Sequence, residues 1–424
     1  MGAPAKLLLC TSLVALASFC EAQQSVTLPG FVTRVASPSD FDVNAIRIFC
    51  GAKTRTIEHL KHTSIRQGCP EHAPYVGEVI EVHGDFHSQD RSLAAKWIEI
   101  TYRAGEKISG SAVIDAMPSY DAALPPAADL LVRADGYRIL ITSETNVVWV
   151  APMHALADVQ SGDWINYRGV MHNDGTIVAE DARFARLTVT TKEGKFRTKS
   201  DYDPSQVPDS AHQNGFHQVF IGIDYKHIPP YNDPKLQTQI TAIGESLIPG
   251  FQRNLPHDDP AKISFRFQLT DDPKWRDVAP LPSGIILIPY EAVQRMQNDA
   301  QLAELLADGI ACAIERSQYR MHGRLQKTAI GAFLVVNPLI ATGVAEGARS
   351  AANSKEQEQS GRVSLGLLHD AGYDIDQAPV AWWLLAPKEP KPTNEVPLPD
   401  RAANLYRVLG EVWNNPAAAE LQKH

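Results

Sequence analysis

Two ten-residue segments of the chain share one frame. Tyr75-Val-Gly-Glu-Val-Ile-Glu-Val-His-Gly84 and Gln160-Ser-Gly-Asp-Trp-Ile-Asn-Tyr-Arg-Gly169 both carry glycine at the third and last places, with apolar and polar residues alternating between. A period of two marks a strand with one buried face. A turn and a second strand pattern follow each copy, Ser92–Ile100 and Thr176–Leu187. A strand that starts near a glycine precedes each, at Pro29-Gly30-Phe31-Val32 and Ser109-Gly110-Ser111-Ala112-Val113. A segment repeated together with its flanks is one folding unit used twice, so residues 23–105 and 106–190 are expected to form two small β modules.

The repeat resembles tandem OB-like β-barrels, about the size of a small closed sheet. Such barrels take oligonucleotides, sugars or proteins, and the fold does not choose among them. Composition narrows the choice. With 40 Lys and Arg against 49 Asp and Glu the formal net charge is -9, and neither copy interleaves basic with aromatic residues as a nucleic-acid face does. No nucleic-acid partner is expected.

Residues 1–22 read as an export signal: Lys6, an apolar run from Leu7 to Phe19, then Cys20 and Ala22, with cleavage expected after Ala22. A lipid anchor on Cys20 is the less favoured alternative, because Phe19 is bulky where that signal wants a small residue. Export leaves Cys50, Cys69 and Cys312. In an oxidising compartment Cys50 and Cys69 are expected to close a disulfide worth roughly 3 kcal/mol in the loop-entropy model. Cys312 then stays a buried thiol. No transmembrane segment is expected after signal removal, since the apolar stretch Ala329–Ala345 is short and broken by Asn337-Pro338.

Beyond a polar stretch at 191–217, expected as a linker, the pattern turns helical. Asp233–Phe251 is amphipathic, Ile263–Leu269 alternates, and Leu281–Gln318 combines a Pro-Ser-Gly turn, the apolar run Ile285, Ile286, Leu287, Ile288, and a helix with Leu302, Leu305, Leu306, Ile310 and Ala313 on one face. Ser350–Ser360 is polar and expected to be mobile. Val363–Ala371 and Asp400–Trp413 read as further helices.

Several of these segments, in order, resemble the zinc metallopeptidase family that includes the CAAX prenyl endopeptidases and HtpX-like proteases. Pro282-Ser-Gly284 with the following strand stands for its N-A-x-x-x-P-x-G turn, Asp299-Ala-Gln-Leu-Ala-Glu-Leu-Leu-Ala for the lead into the metal helix, Arg362 with Ala371-Gly-Tyr-Asp374 for E-x-D-R and A-G-Y-D, and Pro399-Asp-Arg401 for P-x-x-R. The resemblance implies a multidomain chain, two all-β barrels followed by an α+β, mainly helical, zincin-like domain over 218–424.

It also implies a metal site, and the residues for it are missing. H-E-x-x-H places two histidines one turn apart on zinc and a glutamate beside them to activate water. Here that place reads Asp308, Gly309, Cys312, and Gln359 stands where the third ligand belongs. No metal or other cofactor is therefore expected, zinc entering only under an alternative in which an active metalloendopeptidase uses atypical ligands. The expected function is a pseudopeptidase that binds peptide or protein clients by strand addition at an edge strand Ile285–Ile288; a structural envelope protein is the other alternative. His83 with His87, the pair His369–Asp370, and the helix face Asp308, Cys312, Glu315 are lesser candidates, each lacking a complete ligand or catalytic set.

Overall fold

A computed structural model of the chain describes residues 24–59, 63–71, 73–74, 78–87, 89–101, 105–117, 129–172, 175–204, 228–271, 278–320, 355–386 and 400–413. The expected signal segment, the apolar stretch at 329–345 and residues 205–217 of the expected linker lie outside them.

The first unit holds β1 (Gln24–Ser37), β2 (Asp40–Val43), β3 (Ile46–Phe49), β4 (Arg55–His59), β5 (Thr63–Gln67), β6 (Val79–His87) and β7 (Ser92–Thr101). β1 pairs with β2 and β6, β2 with β3, and β6 with β7, all antiparallel, and a parallel β3–β7 pairing closes a five-strand ring. The β4–β5 hairpin stands outside the ring, β4 lying parallel along Trp97–Thr101 of β7. The second unit repeats the plan with β8 (Lys107–Ala116), β9 (Leu130–Ala134), β10 (Tyr137–Ile141), β11 (Asn146–Trp149), β12 (Trp164–Met171) and β13 (Thr176–Ala185). Its ring closes through a parallel β10–β13 pairing, and β11 runs parallel to the far half of β13 as β4 does to β7.

The repeated glycines have a structural cause. Gly84 and Gly169 each sit at a register shift, in β6 against β7 and in β12 against β13. A Cβ at either would strike a backbone carbonyl oxygen of the partner strand, Ala94 or Val178. Such bulges bend a strand and help a small sheet curl closed. The other pair is less equivalent than the sequence implied: Gly30 faces Ile80 across β1–β6, while Gly110 faces Tyr167 across β8–β12. Measured from Gly84 and Gly169, the two glycines are therefore offset by one step on the same face.

Both barrels turn between their second and third strands on two residues of positive φ, Asn44-Ala45 (50° and 60°) and Asp135-Gly136 (58° and 72°). That backbone matches the right-handed twist of a tight hairpin. Asn44 also links the turn to β1, its Oδ1 accepting from Phe31 N at 3.1 Å and its Nδ2 donating to Pro29 O at 3.2 Å. The Cys50–Cys69 disulfide is formed, with 5.5 Å between its Cα atoms, and ties the end of β3 to the segment after β5.

The expected linker begins with a helix. α1 (Thr191–Lys199) is capped by the Thr190 hydroxyl, which accepts from Glu193 N. Buried Glu193 forms ion pairs with Arg197 one turn on and with Arg316, and Phe196 meets Tyr319 edge-on at 5.5 Å. This stretch is thus part of the helical unit, held by buried charges that a reading of composition cannot separate from solvated ones.

The helical unit continues with α2 (Pro234–Leu247), α3 (Gly250–Asn254), β14 (Arg266–Thr270), β15 (Ala279–Pro280), β16 (Ile285–Pro289), α4 (Tyr290–Val293) and α5 (Asp299–Ile314). A helix over 355–370, α6, follows, then α7 (Ala378–Leu385) and α8 (Asp400–Val408), which runs into a π turn at Leu409–Trp413. Residues 355–360, expected to be mobile, open α6. Among the described residues no helix is long and apolar enough to cross a membrane.

The cores divide unequally. Barrel one has its own, around Val32, Phe41, Ile48, Val82 and Ile98. Barrel two shares one continuous core with the helical unit, from Ile165 and Phe184 through Leu305 and Ile310 to Leu365 and Leu405.

Candidate functional site

α5 is capped by Asn298, whose side chain accepts from Gln301 N at 2.9 Å. From Gln301 to Ala311 every residue of the helix is buried. A helix buried all round needs partners for its polar residues, and two carboxylates one turn apart, Glu304 and Asp308, find theirs on three other helices. Ser360 Oγ of α6 donates to Asp308 Oδ1 at 2.7 Å, and Ser364 Oγ, one turn further, hydrogen-bonds Glu304 Oε2 at 3.0 Å. The order of the pairs shows α6 antiparallel to α5. Trp382 Nε1 of α7 donates to Glu304 Oε1 at 2.8 Å. Arg401 of α8 completes the cluster, its Nη2 2.6 Å from Asp308 Oδ2 and its guanidinium carbon 3.5 Å from the centroid of the Trp382 ring.

Arg401 compensates Asp308 directly. Burial, reinforced by Asp308, pushes the Glu304 carboxyl up to about 8, which favours the protonated acid near neutrality; in that form its O–H is the donor to Ser364 Oγ, whose own hydrogen goes to Gly361 O at 2.9 Å.

The positions that the resemblance assigns to metal and base point apart. Asp308 turns to α6 and α8. Gly309 faces β16, where a Cβ would lie 2.9 Å from Ile286 Cγ2, so glycine here permits close packing of helix on strand. Cys312 is half-buried, and its thiol is pushed up to about 12 by burial and then by Asp308, which makes it a poor nucleophile or ligand. Gln359 reaches toward barrel two, Nε2 donating to Ser111 O at 3.1 Å and Oε1 accepting from Arg320 Nη1 at 2.8 Å. Glu315, the third member of the alternative helix-face set, accepts from Val113 N of β8 at 3.2 Å on both oxygens. Among the described residues no three His, Cys, Asp or Glu side chains are grouped to hold a metal ion.

The edge-strand expectation is overturned. β16 is the central strand of its sheet, parallel to β14 and antiparallel to β15, and Ile285, Ile286, Leu287 and Ile288 are all buried. The outer edge of β14 is occupied as well: the Gln237 amide accepts from Leu269 N at 2.9 Å and donates to Phe267 O at 2.7 Å, and Pro230 bridges to Thr270. Both sides of β16 are thus already paired, along Ile285–Pro289 with β14 and at Ile286 and Leu287 with β15. A run of four apolar residues fits an interior strand, and that signal was present in the sequence.

The histidine candidates have other roles. His83 lies on β6 and hydrogen-bonds Thr27 Oγ1 at 3.0 Å and Ser25 Oγ at 3.3 Å. The bulge at Gly84 separates it from His87. His369 lies 3.3 Å from Asp370 and against the Trp413 ring, while Asp370 pairs with Arg133 of β9 at 2.5 Å.

The cluster borders a cavity of about 440 Å³ between barrel one and the helical unit. Pro29, Phe31 and Val79 form its barrel wall, Gln357 and Glu358 of α6 one side, and Trp382, Arg401, Asn404, Leu405 and Val408 the other. Two stacked cations join the units beside it: Arg91 lies 3.8 Å over the Trp383 ring and Arg407 lies 5.2 Å over the Phe31 ring. Sequence reasoning missed Glu304, Ser364 and Trp382. The signal for them was an acidic pair one turn apart inside an otherwise apolar helix.

A family model described as a domain of unknown function (DUF5666) matches residues 29–99, which is barrel one from within its first strand into its last. It covers none of the residues that carry the metallopeptidase resemblance. No curated protein matches the chain.

Proposed function

We propose that this chain is an exported, non-catalytic binding protein for peptide or protein segments, in which two OB-like barrels precede a pseudopeptidase-like helical unit. The OB-like reading is supported by the strand order of both rings, five strands closed by a parallel pairing of the third with the last. Export is supported by the Cys50–Cys69 disulfide, which suits an oxidising compartment, and by the leader-like start of the sequence.

The observation that carries the non-catalytic reading is the fate of residue 308. In the resembled family this position holds a metal. Here Asp308 is held by Ser360 and Arg401, and the next residue, where a water-activating glutamate belongs, is a glycine packed on Ile286. Binding is then assigned to the cavity between barrel one and α6–α8, which has the size and mixed lining of a ligand site. Zinc analysis of the purified protein, with hydrolysis of an unfolded protein followed with and without chelator, tests the first half. Retention of unfolded polypeptides on immobilised protein, lost when Ala403→Trp fills the cavity, tests the second.

A further inference from the structure

The cavity between barrel one and the helical unit is not neutral in what it offers. Its two cations are already spent: Arg401 is paired with Asp308 and stacked on Trp382, and Arg362 is bonded to Asp135 at 2.6 Å. Three polar side chains on its walls, Gln357, Glu358 and Asn404, have no hydrogen-bond or ion-pair partner among the described residues. All three residues are partly buried, and their polar groups line the cavity. One of them is charged. Among the described lining residues the one carboxylate without a partner is Glu358, with amide groups beside it and apolar walls from Phe31 and Leu405.

We propose that this cavity binds a peptide through a lysine or arginine side chain, the apolar stem lying against Phe31 and Leu405 and the cationic head meeting Glu358, with Gln357 and Asn404 accepting its remaining hydrogen bonds. A carboxylate with no internal partner on the wall of a largely apolar cavity favours a cation over a neutral or acidic group, and a long stem with a charged tip suits an apolar cavity with a polar corner. The proposal rests on the peptide-binding reading above and adds the charge class of the residue bound. It also gives barrel one a function: Phe31, within the segment matched as DUF5666, forms a wall of the site.

The test is fluorescence anisotropy with labelled peptides that share an apolar frame and differ at one central residue: lysine, its uncharged isostere norleucine, or glutamate. On the wild-type chain the lysine peptide is expected to bind about tenfold more tightly than the norleucine peptide, and the glutamate peptide more weakly still. Glu358→Gln keeps shape and removes the charge. It is expected to bring the lysine and norleucine peptides level while leaving the norleucine affinity unchanged. Ala403→Trp is expected to abolish binding of both, with far-UV circular dichroism confirming that the variant is folded. Equal affinities for lysine and norleucine on the wild type, or a lysine preference that survives Glu358→Gln, overturn the charge assignment alone. Absence of binding by any of the three peptides overturns the peptide-binding reading and this proposal with it. A free amine such as cadaverine, added as competitor, is expected to displace the lysine peptide only at concentrations far above the peptide's Kd; displacement at equal concentration shows that the site recognises small cations rather than peptides and also counts against it.

Discussion

Arg362 on α6 donates from Nη2 to Asp135 Oδ1 at 2.6 Å and from Nε to the Asp135 carbonyl oxygen at 2.9 Å, so one side chain grips both the head and the backbone of the turn between β9 and β10. Tyr167 donates to the remaining Asp135 oxygen at 2.9 Å. Gly136 makes the approach possible, since a Cβ there would overlap the backbone and Cβ of Arg362. Barrel two and the helical unit therefore share a core and a buried ion pair, and they are expected to unfold as one. Replacing Arg362 by Met leaves Asp135 buried without its cation, a loss of about 3–5 kcal/mol. Gly136→Ala, strained both by its positive φ and by the clash, is expected to lower the same transition. Calorimetric unfolding of the two variants checks this, and a barrel-two transition unmoved by Arg362→Met contradicts it.

Barrel one has a separate core, and the disulfide lies within it. Reducing Cys50–Cys69, or replacing both cysteines by serine, is expected to lower the unfolding midpoint of barrel one by the equivalent of about 3 kcal/mol and to leave the larger transition in place. Two resolved transitions, with only one shifted by reductant, is the expected calorimetric result.

The duplicated glycines make a paired prediction. Gly84→Ala and Gly169→Ala each drive a methyl group into a carbonyl oxygen across a bulge, at a cost of about 1–3 kcal/mol for a clash that the packed sheet cannot relieve. The first is expected to shift the transition of barrel one and the second that of the joint core. Chemical denaturation monitored on each variant separates them.

Glu304 makes stability depend on pH. Its folded pKa of about 8 lies above the ordinary carboxyl value, so the folded chain holds a proton that the unfolded chain has released. Its contribution is favourable at acid pH and is lost as pH rises from the unfolded carboxyl value through about 8. Asp115, pushed up to about 6 by burial, acts in the same direction over a narrower window. Glu304→Gln mimics the protonated acid. It is expected to flatten the fall in Tm between about pH 5 and pH 8 and to raise stability at the upper end; an unchanged slope contradicts the assignment. The groups facing Glu304 are Asp308 on its own helix, Ser364 on α6, Trp382 on α7 and Arg401 beyond Asp308, and all remain in the variant.

How much of this was legible in the sequence depended on whether the signal was local. The barrels were readable because alternation and the repeated Gly84 and Gly169 are properties of a strand and its bulge, and the Cys50–Cys69 pairing followed from compartment and spacing. The offset of Gly30 from Gly110 was not readable, because register is fixed by pairing with β6 and β12. The apolar run Ile285–Ile288 signalled burial, but which strands flank β16, namely β14 and the two residues of β15, is fixed by distant pairing and was not legible. α1 escaped notice because TKEGKFRTK has little apolar periodicity, and its stability comes from Glu193 meeting Arg316, a contact across more than a hundred residues. The cluster around Glu304 was hidden for the same reason. Its partners Ser364, Trp382 and Arg401 lie on three later helices, and only the acidic pair on α5 was visible locally.

The central claim is that residue 308 and its neighbours have structural roles where the resembled family has chemistry. Zinc content by mass spectrometry on the purified full-length chain, after incubation with equimolar zinc and gel filtration, tests it most directly. The account predicts far less than about one zinc per chain and no polypeptide hydrolysis that a chelator suppresses. About one tightly held zinc per chain, with hydrolysis abolished by chelator and by Asp308→Ala, would contradict it.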